Sequence, residues 1–210
     1  ASLLPQILTA DKLLMPDGVT SIAEHYRSFS NRNLLDNWYF AKPINQRGKT
    51  KWTIAPKPST GVDANTEYAY TGYTIDRWYI SGSGSCTIAD DGVILTHIPG
   101  NGSDHDRVDF VQKFENYAQM KGNLYTASFL IDGALYSKTF IMGTISSYAD
   151  SILTSNMSFY SIDSLPFLLR LYRNESVKIK AAKLEPGPFQ TLAHQEGSKW
   201  VLNDPPPNYA

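Results

Sequence analysis

From Asn33 onward the chain breaks into short apolar and aromatic runs separated by Gly, Pro, Asp and Asn. That is the pattern of many short strands joined by turns. Leu34-Leu35 and Trp38-Tyr39-Phe40 are strand-like and bracket a turn at Asp36-Asn37. Pro43 to Lys51 and Pro56 to Thr66 read as loops on either side of a short strand, Trp52-Thr53-Ile54. The run 73–80 mixes alternation with aromatics and predicts one strand, followed by a flexible Ser/Gly turn over 81–85. Cys86–Ala89 and Val93–Thr96 predict a hairpin with Asp90-Asp91-Gly92 at its corner. Further strands are expected over 108–114, 124–131, 135–144, from Phe159, over 168–172 and over 177–184. The last of these alternates apolar residues with lysine, which suits a strand with one wet face. Strands at this spacing predict an all-β sandwich or barrel rather than βαβ units. After Leu184 the prolines at 186, 188 and 205–207 predict an extended tail lying over the body or reaching a neighbour.

Residues 1–32 have a different texture. Leu3, Leu4, Ile7 and Leu8 have helical spacing interrupted by Pro5, and Ser21–Arg27 could form a short helix capped by Thr20 or Ser21. The segment is too small to bury a core of its own. It is expected to be a connector or oligomerisation segment, with 33–210 forming the sandwich and its Pro-rich tail. The apolar opening lacks a basic region and makes a poor secretory signal.

Composition narrows the class. The 19 Lys and Arg nearly balance 20 Asp and Glu, for a formal net charge of -1. This argues against a nucleic-acid binder and against a disordered chain. No stretch approaches the length of a membrane span, so no membrane insertion is expected. Thirteen Tyr, nine Phe and four Trp accompany 14 Gly and 12 Pro, a β-rich balance with many turns. A Tyr-rich surface low in charge suits contact with sugars or with other subunits. The lone Cys86 excludes an internal disulfide and reads as a small core residue. The Asn-x-Ser triplets at Asn101, Asn156 and Asn174 read as incidental.

No catalytic signature appears. The four histidines form no H-E-x-x-H, Gly82-Ser83-Gly84-Ser85 lacks the spacing of a nucleophile elbow, and no phosphate-binding glycine loop occurs. The chain is therefore not expected to be an enzyme. The one metal-like cluster is Asp104-His105-Asp106 with Asp109, whose oxygens could hold calcium in a loop opened by Gly100–Ser103. A solvated polar loop explains the same residues, and no cofactor is expected.

Three phrases carry a resemblance. They are Asn33–Phe40 followed by Pro43-Ile44-Asn45-Gln46-Arg47-Gly48, then Tyr73–Trp78, and finally Ile179–Gly187 with Thr191–His194. In this order they resemble the carbohydrate-binding-module-like jelly-roll domain of phage and prophage tail fibre (receptor-binding) proteins. The resemblance covers about residues 33–200. It implies a jelly-roll β-sandwich, a virion or extracellular location, a homotrimer, other virion tail proteins as partners and adsorption to a host cell-surface carbohydrate. It also implies a carboxylate near a structural calcium after the last strand, at Glu185. Two other roles fit the residues: a structural trimerising virion module without receptor contact, and a carbohydrate-binding module of a bacterial glycanase.

A sugar ring stacks its apolar face on an aromatic side chain and hydrogen-bonds neighbouring polar groups. Loop aromatics beside polar residues are thus the candidate carbohydrate site: Trp52, Tyr68, Tyr70, Asn116 with Tyr117, and Tyr148 beside Asp150.

Overall fold

The computed structural model describes residues 30–54, 71–99, 106–163, 165–173, 175–205 and 207. The connector helix expected at 21–27 lies outside them. The fold is an all-β antiparallel sandwich, as the strand pattern predicts. One six-stranded sheet contains β1 (Lys51–Ile54), β4 (Gly84–Ala89), β5 (Gly92–His97), β12 (Ser176–Pro186), β7 (Leu124–Ile131) and β8 (Ala134–Ile141), in that spatial order. The second contains β2 (Thr71–Tyr73), β3 (Tyr79–Gly82), β6 (Val108–Gln112), β11 (Leu165–Leu171), β10 (Met157–Ile162) and β9 (Ile152–Thr154). Two single-turn helices, α1 (Tyr117–Met120) and α2 (Tyr148–Ser151), sit in the connections. The chain changes sheets repeatedly, the crossing habit of a jelly roll.

The sandwich closes on aromatic side chains. Trp78 is fully buried and stacks on Phe110 at 4.5 Å between ring centroids. Phe40 and Phe167 meet its edge at 5.1 and 5.9 Å. Offset and edge-on pairs of this kind add about 0.5–1.5 kcal/mol each beyond the area they bury. Cys86 is fully buried in the same core, and burial pushes its thiol up to about 12. It is therefore a protonated, apolar packing residue at neutral pH.

The segment from Leu34 to Phe40 does behave like a strand, with a break. It lies along the flank of β12 that β5 leaves free beyond Ile179. Leu34 N–H donates to Leu184 O (2.8 Å), Ala182 N–H to Trp38 O (3.1 Å) and Phe40 N–H to Lys180 O (2.9 Å). The break comes at Asn37, whose φ of 50° turns the chain and leaves only an isolated bridge, Tyr39 to Ala181. The first and third sequence phrases are thus hydrogen-bonded neighbours.

Three expectations need correction. Residues 73–80 are not one strand: Tyr73 and Tyr79 face each other across the β2–β3 hairpin. The chain reverses because Trp78 N–H bonds Ile75 O at 3.1 Å and Arg77 adopts φ 70°. Alternation alone could not separate a long strand from two short ones across a tight turn. Residues 81–85 are not a flexible turn either, because Gly82 ends β3 and Gly84 opens β4, both buried. A Cβ on Gly82 would collide with the Arg107 carbonyl, and one on Gly84 with Val108 and the Thr96 carbonyl. Glycine is there to let two sheets approach at a corner. Finally, the tail after Pro188 is not simply extended. It forms the hairpin β13 (Ala193–Glu196) and β14 (Lys199–Leu202), whose Leu202 and Trp200 pack on Leu130, Ala181 and Tyr39.

That hairpin changes the fate of β12. Val177 and Ile179 face the core while Lys178 and Lys180 face out, as the alternation predicts. A bulge between Ile179 and Ala181 then shifts the phase, so that Ala182 and Leu184 face the core. Lys183 and Glu185 point outward yet are fully buried, because the C-terminal residues cover them. Lys183 Nζ donates to Ser30 Oγ (2.5 Å), Thr191 Oγ1 (3.0 Å) and Asp204 Oδ2 (3.0 Å). Glu185 accepts from the Thr191 backbone N–H (2.6 Å) and hydroxyl.

Candidate functional site

An open concavity with a volume of about 750 Å³ lies where the first two sequence phrases meet. Trp38, Gln46, Arg47, Tyr73, Asp76 and Arg77 line it. Its frame is held by one buried amide. Asn37 Nδ2 donates to the carbonyls of Ile44 and Asp76, each at 2.9 Å, and Asn37 Oδ1 accepts from Ile44 N–H at 2.7 Å. Asn37 suits this place because it tolerates positive φ and can satisfy three backbone groups at once. Below it, Asp36 O accepts from Trp78 Nε1 (3.0 Å) and Gln112 Nε2 (2.9 Å), and Gln112 Oε1 receives Asp36 N–H (2.9 Å). The groove floor is therefore anchored to the core tryptophan.

Tyr73 supplies the aromatic surface. Its ring is 58% exposed. The Arg47 guanidinium carbon lies 5.3 Å from its centroid, a cation–π contact that brings N–H donors to the groove wall. Asp76 lies beside it, with one carboxylate oxygen 3.4 Å from Gln46 N. Arg77 reaches the carboxylates of Asp36 (3.2 Å) and Glu115 (3.3 Å), which raise its already high pKa. The turn at Arg77 directs its side chain to these two carboxylates. Two acids and two bases line the groove, Asp36 and Asp76 with Arg47 and Arg77, so it carries no net charge. An exposed ring amid mixed donors and acceptors can stack and hydrogen-bond a hydroxyl-rich ring.

The described residues of the sequence-predicted site, Trp52, Asn116, Tyr117 and Tyr148, fall elsewhere and do not converge. Trp52 is half-buried on β1 opposite Cys86, and its ring packs on the core. Tyr68 and Tyr70 lie outside the described residues. Asn116 precedes α1, and the Tyr117 hydroxyl donates to Asp163 at 2.7 Å. Asp163 also takes Lys121 Nζ at 2.7 Å, which holds its carboxyl low, while burial and the Asp163 contact push the Tyr117 phenol up to about 12. Tyr148 is 49% exposed on α2 and meets Tyr172 edge-on at 6.1 Å. The Tyr172 hydroxyl lies 3.1 Å from that of Tyr160, whose ring lies 4.5 Å from the Arg170 guanidinium.

The described acidic candidates each lie against a basic side chain. Asp109 is buried at the centre of the second sheet and accepts both Arg170 Nε (2.6 Å) and Nη2 (2.9 Å). Asp106 lies 3.0 Å from His97 Nε2, and Asp104 with His105 lies outside the described residues. Glu185 does not follow the last strand of the sandwich. It lies within β12 and faces Thr191, with Lys183 at 4.0 Å. Among the described residues no group of His, Cys, Asp or Glu is placed to hold a metal ion.

Sequence reasoning missed Tyr73, Arg47 and Asp76 as a set because each belongs to a phrase that also builds the fold. The available signal was the placement of polar pairs, Gln46-Arg47 and Asp76-Arg77, at the turns next to exposed aromatics. Among the described residues no helix is long and apolar enough to cross a membrane. Comparison of the chain with protein-family models, with curated proteins and with solved structures finds no match.

Proposed function

We propose that this chain is a non-catalytic receptor-recognition domain of a phage tail fibre, and that it holds a host cell-surface glycan in the groove beside Tyr73. The observation that carries this reading is the exposed Tyr73 ring framed by Arg47, Gln46 and Asp76 in an open concavity whose charges balance. Open grooves of this kind admit part of a polymer, and aromatic stacking with a few hydrogen bonds gives the modest per-site affinity that a multimeric fibre multiplies. A homotrimer attached to other virion tail proteins fits that requirement, and the sequence resemblance supports it.

Purified chain applied to an array of bacterial surface polysaccharides should bind a subset of them. Tyr73→Ala should weaken that binding about tenfold or more while leaving unfolding within about 0.5 kcal/mol, as for an exposed side chain away from the core. Absence of binding to any bacterial glycan, or full binding by Tyr73→Ala, would remove the groove from the account. In the latter case the rival reading of a structural virion module gains.

A further inference from the structure

On the opposite sheet, three tight turns converge over the exposed end of β12. They are the β4–β5 corner at Asp91, the β7–β8 turn at Asp132-Gly133 and the β13–β14 turn at Ser198. Between them lies a cleft of about 610 Å³, and on the other side of Trp200 a second cleft of about 490 Å³ reaches Tyr39 and Pro205. Trp200, Leu130 and Lys180 line both. The bulge in β12 sits at Lys180 and sets its ammonium at this junction, a placement that bulges often serve beside binding sites.

Charge here differs from that of the Tyr73 groove. Lys178, Lys180 and Lys199 face Asp91 and Asp132. Lys180 Nζ reaches Asp91 at 3.2 Å, and Asp132 Oδ1 accepts the Lys178 backbone N–H at 3.0 Å. Lys199 stands opposite Glu196 across the β13–β14 hairpin, and among the described residues neither it nor Lys178 forms an ion pair. An indole flanked by two concavities, beside a lining whose three lysines outnumber its two carboxylates by one, calls for a ligand that is both stackable and anionic. We infer that the clefts around Trp200 form a second binding site, specific for carboxylate-bearing sugar units. This site stands independently of the Tyr73 groove. The whole-chain charge of -1 lacks the basic excess that would favour a nucleic acid instead.

The test titrates oligogalacturonate and oligoalginate into the full chain by calorimetry, with maltohexaose as the neutral control. At least one acidic oligosaccharide should bind at about 50 mM salt and weaken severalfold at about 300 mM, where exposed charges are screened. Trp200→Ala should lower affinity about tenfold or more, as for the loss of an aromatic anchor. Because Trp200 also packs the C-terminal hairpin, Lys178→Gln with Lys199→Gln gives a second variant that leaves this packing intact and should lose the salt-sensitive binding. Tyr73→Ala should bind the acidic probes as the parent does, which separates this site from the groove. No binding of either acidic probe, equal binding of maltohexaose, or undiminished binding by the lysine double variant would overturn the inference.

Discussion

Trp78→Ala should be the most damaging single substitution in the sandwich, costing about 3–5 kcal/mol, as for truncation of a buried large aromatic. The ring is fully buried and touches Phe40, Phe110 and Phe167, so its removal opens a void between the two sheets that none of those rings can fill from its rotamer. For a domain of this size the melting temperature should fall by roughly 6–20 °C. The effect should extend to the groove, because Trp78 Nε1 holds the Asp36 carbonyl under its floor. Trp78→Phe separates the two contributions. It keeps most of the packing and loses the N–H, but Gln112 Nε2 still satisfies the same carbonyl, so it should cost only about 1–3 kcal/mol. Denaturant unfolding of both variants checks this. Equal losses for Ala and Phe would mean that the hydrogen bond, not the ring, dominates.

Lys183→Met should be nearly as severe, at about 3–5 kcal/mol, because it leaves one side of a buried charge cluster uncompensated. Lys183 and Glu185 are both fully buried, and Asp204 depends on the same ammonium. Removing the cation strands Glu185 with only its Thr191 donors and frees the C-terminal hairpin from β12. Adding Glu185→Gln should recover part of the loss, since a neutral amide is far cheaper to bury than an unpaired carboxylate. Hydrogen exchange should show Ala193–Leu202 losing protection in the single variant before the sandwich strands do. A loss below about 1 kcal/mol, the range of surface pairs, would mean that the cluster is solvated in solution.

The central strands were legible because a single physical demand, burial of apolar runs between turn residues, marks them. β7 is such a run, buried on both faces from Tyr125 to Ile131, and the Asp-Gly corner of the β4–β5 hairpin occupies the expected place with Gly92 at φ 149°. Legibility failed where a second demand overrode the first. Lys183 reads as a wet residue by pattern and is dry because residues far along the chain fold over it. The run 73–80 reads as continuous because Arg77, unlike glycine, does not advertise a positive φ. The candidate site was the least legible part. Tyr117 and Tyr148 carry the right chemistry, but adjacency to a polar residue in sequence says nothing of whether other loops converge there. Tyr73 gains its setting from Gln46 and Arg47, joined through Asn37, and that convergence exists only in three dimensions.

The Lys183 cluster also sets how the domain bears load. Ser30 and Asp204 bond the same ammonium, at 2.5 and 3.0 Å, so the two ends of the described body leave it side by side. A force drawn through both ends would peel that cluster open one contact at a time before it reached either sheet. A force drawn across the two sheets would instead be shared among many strands. A domain built this way yields more easily to tension between its ends than to tension across its sheets.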